Sequence, residues 1–128
     1  MRLLVDTHAI LWALYDHARL SKKAARRLTQ PDTNISLSIA SLWEIAIKSS
    51  SEKLKLGRSY KEFLDEFILS HPIQIEPITT KTLVENEKLP WHLRDPFDRL
   101  IIAQALDLDV PVITADESFA RYGVKVFW

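Results

Sequence analysis

The chain has 128 residues, enough for one domain around one hydrophobic core, and we expect that domain to span residues 1–128. It contains no cysteine, which excludes disulfides and thiolate metal sites, and its two glycines exclude a glycine-rich phosphate loop. Seventeen basic and seventeen acidic side chains cancel, so the net charge gives no indication of a nucleic-acid partner.

The first part of the chain alternates strand and helix patterns. Residues 3–5 are an uninterrupted apolar run, typical of a strand buried on both faces of a parallel sheet. A helix follows at once to about Tyr15, and a second begins after the N-cap residue Ser21 and ends at Leu28. Apolar residues alternate with serine over residues 35–39, which predicts a second strand.

The middle of the chain carries two capping-box patterns, in which a serine is followed three residues later by glutamate. The first predicts a helix that opens at Ser41 with Glu44 as its reciprocal partner, and the second a helix that opens at Ser59. Residues 73–78 then alternate as a short strand, and one of the threonines that follow is expected to cap a brief helix.

The last part of the chain contains the longest predicted helix. Asp95 followed by proline places an acceptor at the N-cap and proline at the first helical position, so a buried helix is expected over residues 97–108. Residues 110–114 and 124–127 predict two strands, separated by a short helix that ends at Gly123. The order of elements indicates an α/β fold, with a central parallel sheet of four to five short strands and helices on both faces.

No segment of the chain predicts export or membrane insertion. The N-terminal apolar stretch is interrupted by Asp6 and His8, and no small-residue cleavage site follows it. No segment approaches the ~20 apolar residues that a membrane helix needs. We therefore expect a cytoplasmic protein without membrane association.

Four acidic residues occupy corresponding positions in the predicted fold. Asp6 ends the first strand, and Glu44 is expected in the first turn of the helix after the second strand. Asp98 is expected in the first turn of the longest helix, and Asp116 just beyond the fourth strand. Because parallel strands all end at one edge of the sheet, we expect all four at the carboxyl edge, where open α/β sheets bind ligands.

Clustered carboxylates repel one another and require a compensating cation. Hard oxygen ligands favour magnesium or manganese over zinc or copper. Such a site can activate water and position a phosphodiester, so metal-assisted phosphodiester hydrolysis is the chemistry that the four acids predict. Each acid taken singly has an alternative role as a helix cap or as a charge that favours the helix dipole.

Several neighbours of these acids have two interpretations. Asp95 is interpreted as a helix cap, with a weak metal role left open. Thr7 and Thr114 flank predicted site aspartates and could orient them by hydrogen bonds, although local capping explains them equally well. His8 beside the first aspartate is more typical of a structural residue than of a catalytic one.

Basic and aromatic residues offer possible contacts for a nucleic acid. Arg94 and Arg99 flank the third acid and could contact phosphate or form surface ion pairs, and Trp91 could stack on a base. Two basic stretches, each also explained as a solvated helix face, comprise Arg19, Lys22, Lys23, Arg26 and Arg27, and then Lys48, Lys53, Lys55 and Arg58.

Four stretches of the sequence resemble the PIN-domain family, in the right order and at plausible separations. They are residues 5–8 (VDTH), 41–48 (SLWEIAIK), 94–103 (RDPFDRLIIA) and 114–116 (TAD). The tryptophan–glutamate–isoleucine helix is most similar to the VapC-like branch, and the resemblance extends over essentially the whole chain.

The resemblance implies a metal-dependent endoribonuclease, a hydrolase that leaves 5′-phosphate and 3′-hydroxyl ends. It implies that magnesium or manganese is bound by Asp6, Glu44, Asp98 and Asp116, the last completing the site or holding a second ion. It also implies the toxin of a type II toxin–antitoxin system, inhibited by a small antitoxin protein and assembled as a homodimer.

Two rival functions remain open from the residues alone. A phosphatase would use Asp6 as a nucleophile, but the familiar phosphatase pattern has a second aspartate where this chain has His8. A non-catalytic RNA- or protein-binding domain would use the acids only as helix caps, and it would bind no divalent ion.

Overall fold

Five parallel strands form a single sheet in a computed structural model that describes residues 1–128. The strands are β1 Arg2–Val5, β2 Asn34–Ser38, β3 Gln74–Glu76, β4 Val112–Ile113 and β5 Val126–Phe127. Their order in the sheet is β3-β2-β1-β4-β5. Each pair of neighbours is parallel, and β1 in the centre pairs with β2 on one side and β4 on the other. The predicted α/β class with a parallel sheet is confirmed.

Six α-helices and two 3-10 segments connect the strands. The helices are α1 Thr7–Tyr15, α2 Lys22–Thr29, α3 Ile39–Ser50, α4 Tyr60–Ser70, α5 Thr80–Lys88 and α6 Pro96–Leu108, and the 3-10 segments are His17–Arg19 and Glu117–Tyr122. No helix combines the length and the apolar character that crossing a bilayer demands.

The sheet separates two hydrophobic cores, and this arrangement follows from the alternation of side chains along each strand. In β1, Leu3 and Val5 pack against the helices on one face while Leu4 packs against the other face, and all three are fully buried. Full burial of such a side chain contributes roughly 1.5–3 kcal/mol. The predicted placement of helices on both faces is therefore confirmed.

The capping-box prediction at Ser41 is wrong. Helix α3 begins at Ile39, because the Ser38 hydroxyl accepts from the Ala40 N–H (3.0 Å) and acts as the N-cap. Ser41 lies inside the first turn, and its buried hydroxyl accepts from the Thr7 hydroxyl instead (2.9 Å). Glu44 consequently lies in the second turn of α3, and its carboxylate does not cap the helix.

The other predicted helix starts are confirmed at Ser21, Ser59 and Asp95, each of which accepts from backbone N–H groups of the first turn. The last three strands are shorter in the structure than predicted, and β4 begins only after Pro111, because proline cannot donate to a strand ladder. Gly123 ends the last helical segment with a φ of 82°, a left-handed conformation that favours glycine.

Candidate active site

The centre of the sheet places Asp6 and Asp116 at the carboxyl edge. Asp6 directly follows β1 and Asp116 lies three residues beyond β4, and these two strands are neighbours. The chain fills the sheet first on one side of β1 and later on the other, so this edge is a topological switch point. Open α/β sheets bind their ligands at such points.

Helices α3 and α6 add Glu44 and Asp98 to the same edge. The two helices pack together through the Trp43 and Phe97 rings, which meet edge to face with centroids 5.1 Å apart. Glu44 and Asp98 are the next residues along these helices. Glu44 is buried and Asp98 half-buried. Because Asp116 is exposed, the site opens to solvent on one side.

The pKa of Asp98 reflects both its burial and the charges of the acids around it. Burial of its carboxyl group, the largest cause, and the charges of nearby carboxylates together raise its pKa from the ordinary 3.8 to about 7. In order of effect, these are Asp95, Asp6, Glu44 and Asp116. The Asp98 carboxylate accepts no hydrogen bond within the chain, and its position in the first turn of α6 fits the alternative role of a charge that favours the helix dipole.

Asp6 is held by groups on two sides. Its Oδ1 caps α1 by accepting from the Ala9 N–H (2.7 Å), and its Oδ2 accepts from the hydroxyl of Thr114. Burial raises the pKa of Asp6, while these two hydrogen bonds and the charge of His8 oppose the rise. The Asp6 carboxyl group therefore serves as a helix cap and also occupies a fixed, buried position in the site.

Thr114 connects the two aspartates that follow the central strands. Its fully buried hydroxyl donates to Asp6 and accepts from the backbone N–H of Asp116 (3.0 Å). This matches the orienting interpretation of Thr114. Thr7 differs, because its hydroxyl bonds to Ser41 and ties α1 to α3 without touching an acid.

Glu44 and Asp116 each retain acceptor capacity. Glu44 Oε2 accepts from Lys48 Nζ (2.6 Å), whereas Glu44 Oε1 is buried with no partner. Asp116 Oδ1 accepts from the Ser118 N–H (2.9 Å) and hydroxyl, so Asp116 caps the 3-10 helix. The Glu-x-x-x-Lys spacing on one helix face is the sequence signal that could have identified Lys48 as a partner of the site.

The donor set matches the chemistry of a hard divalent cation. It consists of carboxylate oxygens, and a buried, unpartnered oxygen such as Glu44 Oε1 is costly unless a cation or donor reaches it. No group of three or more acidic or histidine side chains is arranged to hold a metal ion in the structure as it stands. A cation held here would therefore rely on water for part of its coordination.

Arg99 does not face the site, contrary to the interpretation as a phosphate contact or surface ion pair. Its guanidinium is buried and donates to the carbonyl oxygens of Leu89 (3.2 Å), Pro90 (2.9 Å) and Leu93 (3.2 Å). Trp91, 76% exposed, covers the guanidinium at 3.8 Å. Arg99 thus fixes the loop that leads into α6.

The raised pKa of Asp98 predicts a pH-dependent stability difference without metal. The folded protein binds this proton more tightly than the unfolded chain, so stability falls as pH rises from about 4 to about 7. After discounting for solvent screening, we expect Asp98→Asn to be more stable than wild type by roughly 2 kcal/mol at pH 7.5, with no advantage at pH 4. Urea denaturation in EDTA measures the difference.

Divalent cation supplies the control for that experiment. Adding magnesium at pH 7.5 is expected to stabilise wild type and to leave the Asp98→Asn variant nearly unchanged, since a ligand that binds only the folded state raises its stability. An equal difference between the two proteins at pH 4 and pH 7.5 would contradict the assignment of the shift to Asp98.

The fold and the acidic cluster together define a class of protein: an α/β domain whose parallel sheet carries clustered carboxylates at its central carboxyl edge. A family model described as the PIN domain matches residues 3–125. The chain belongs to the PIN-domain family. No curated protein sequence matches it significantly.

Solved structures share this fold at low sequence identity. The VapBC2 structure of Rickettsia felis, bound to a promoter DNA fragment, gives a TM-score of 0.74 at 18% identity, over 98% of this chain and 97% of that one. FitAcB of Neisseria gonorrhoeae gives 0.71 at 20%, over 98% and 96%. VapC20 of Mycobacterium tuberculosis, a sarcin–ricin loop-cleaving toxin, gives 0.65 at 18%, over 95% of both chains.

Proposed function

We propose that this chain is a magnesium- or manganese-dependent endoribonuclease and the toxin of a toxin–antitoxin pair, active in the cytoplasm. The observation that carries the proposal is the convergence of four carboxylates on Asp98, whose pKa rises to about 7. Such a cluster at the switch point of a parallel sheet suits a cation and a phosphodiester. Membership of the PIN family and the similarity to VapBC structures support the choice of RNA and of a toxin role.

Asp6, Glu44, Asp98 and Asp116 are the residues proposed to hold the cation. When bound, the cation would neutralise these acids, polarise a water molecule and orient the scissile phosphate. The Asp98 carboxyl group would give up its proton on binding, because a cation favours the charged form. Glu44 Oε1 would gain the partner that it lacks within the chain.

The surrounding residues prepare this cluster for RNA. Thr114 holds the Asp6 carboxylate and the backbone of Asp116 in one arrangement, so both acids keep their positions before substrate arrives. Lys48 holds one oxygen of Glu44 and offsets part of the negative charge. Asp95 caps α6 by accepting from the Phe97 (2.8 Å) and Asp98 (3.2 Å) N–H groups, which fixes the first turn carrying Asp98.

We further propose that the chain forms a homodimer and binds a small antitoxin. Ile39, Trp43 and Ile47 form an exposed apolar row at four-residue spacing on α3, and Leu83 and Val84 are exposed on α5. Contiguous exposed apolar side chains of this kind commonly mark protein interfaces. The similarity to toxin–antitoxin assemblies such as VapBC2 and FitAcB supports protein partners for these faces.

The experiment that tests the function is a magnesium and manganese titration of the purified chain with a mixed RNA pool. We expect cleavage to require divalent cation, to stop on addition of EDTA and to yield 5′-phosphate ends. Calorimetry on the same sample reports cation binding independently of cleavage. Absence of both cation binding and cleavage in folded, antitoxin-free protein would contradict the proposal and favour a binding domain whose acids act only as caps.

A further inference from the structure

Helix α2 carries a concentration of positive charge that no acid offsets. Its sequence, KKAARRLT, contains four cations and no acidic residue. Elsewhere seven basic side chains form salt bridges with carboxylates, namely Arg2, Arg19, Lys48, Arg58, Lys61, Lys81 and Lys88. None of the α2 cations forms a salt bridge, although the chain has as many acids as bases.

The buried ring of Phe127 brings together two of these cations and Lys125, the residue that precedes β5. Arg27 lies over the ring at 4.7 Å, Lys23 at 5.0 Å and Lys125 at 5.2 Å. Beside them lies an open cleft of 470 Å³ lined by Lys22, Lys23, Arg26, Arg27 and Gln30. We call this region the α2 basic surface; it comprises Lys22, Lys23, Arg26, Arg27 and Lys125.

A row of aromatic rings joins the α2 basic surface to the acidic site. His8, two residues after Asp6, lies 5.9 Å from Trp12, and Trp12 lies 5.7 Å from Trp128. Trp128 directly follows Phe127, around which the cations gather, and Arg19 stacks over Trp12 at 4.8 Å. None of these linking side chains is fully buried.

We propose that the α2 basic surface binds the phosphate backbone of the RNA substrate on one side of the scissile bond. The inference rests on the proposed ribonuclease function. An RNA approaching this chain meets no net attraction and is repelled by the acids, so it needs a local cationic surface. The rings between the two sites suit stacked bases, which favours single-stranded RNA over an acidic protein segment.

The test neutralises the four most exposed cations, in the variant Lys22→Gln, Lys23→Gln, Arg26→Gln and Lys125→Gln. Arg27 is retained because it is the one half-buried cation of the five. The probe is a fluorescein-labelled single-stranded RNA of mixed sequence, about 20 nucleotides long, in EDTA. Fluorescence anisotropy then measures RNA binding by the basic surface alone. EDTA blocks cleavage, and without a cation the acids do not attract the RNA. We expect affinity to fall about 10- to 100-fold, and the salt dependence of log Kd to flatten by about 3.

The matched control removes four exposed lysines elsewhere, in the variant Lys53→Gln, Lys55→Gln, Lys81→Gln and Lys88→Gln, and is expected to bind the RNA within about threefold of wild type. With magnesium present, the α2 variant should show a raised KM and an unchanged kcat.

The outcomes separate this inference from the proposed function. Magnesium-dependent RNA cleavage by wild type, with equal RNA affinity for the α2 variant and wild type, would overturn the surface alone. The α2 basic surface would then be assigned to the binding of an acidic protein. An equal loss in the control variant would overturn the surface as well, because the effect would then follow net charge. No cleavage and no RNA binding by wild type would overturn both proposals.

Discussion

Replacing Asp98 with asparagine is expected to reduce cation-dependent RNA cleavage by about 1,000-fold or more. Asp98 is the acid on which the charges of the other three converge, and its carboxylate has no partner within the chain. Asparagine keeps the size and removes the charge, so the loss comes from the several kcal/mol of cation binding and charge stabilisation that the site would supply. Single-turnover cleavage at saturating magnesium measures it.

Asp95→Asn is the matched control, because it makes the same chemical change three residues away on the same helix. Asparagine is as good an N-cap as aspartate, so α6 should begin unchanged. We expect this variant to cleave RNA within about tenfold of wild type, the modest loss following from a weakened local field. Full activity in Asp98→Asn, or equal losses in both variants, would remove Asp98 from the proposed cation site.

Replacing Arg99 with methionine is expected to lower the free energy of unfolding by about 3 kcal/mol. One guanidinium satisfies the carbonyl oxygens of Leu89, Pro90 and Leu93, and an unsatisfied buried acceptor costs about 1–3 kcal/mol. Part of this destabilisation is offset, because the variant no longer buries a charge that has no carboxylate partner. Methionine retains the apolar volume, so the remaining decrease in the free energy of unfolding is due to the lost hydrogen bonds and the lost contact with Trp91. Urea denaturation at pH 7.5 in EDTA measures it.

Arg94→Met provides the comparison, since Arg94 is an exposed arginine at the end of the same loop. It should change stability by no more than about 0.5 kcal/mol. In Arg99→Met we also expect Trp91 fluorescence to shift, because the indole loses the cation beneath it. Equal stabilities of the two variants would show that the loop keeps its conformation without the guanidinium.

The local elements were predictable because their determinants lie within a few residues of one another. Ser21, Ser59 and Asp95 cap their helices by reaching N–H groups two or three positions away, and Gly123 ends a helical segment through its own backbone freedom. The apolar run of β1 likewise indicates a strand buried on both faces. These features, with the order of the elements, determine the α/β class and the edge at which the four acids gather.

The candidate site was predictable as a set of residues but not as a set of contacts. The PIN-like motifs and the topology together select Asp6, Glu44, Asp98 and Asp116, whose role as cation ligands stays a prediction. The sequence does not show which carboxylates accept hydrogen bonds as helix caps and which have no hydrogen-bond partner. In the structure Asp98 and one oxygen of Glu44 are the unpartnered ones.

Only the tertiary structure decided the interactions between distant segments. The Thr114 hydroxyl meets Asp6 across 108 positions, and Thr7 meets Ser41 across 34, because β1, β4 and α3 converge at one edge. Burial decided the role of Arg99, which the sequence places beside an acid but the fold turns toward three carbonyl oxygens. Local hydrogen bonds and side-chain alternation therefore determined the elements, whereas packing across the sheet determined which polar groups find partners.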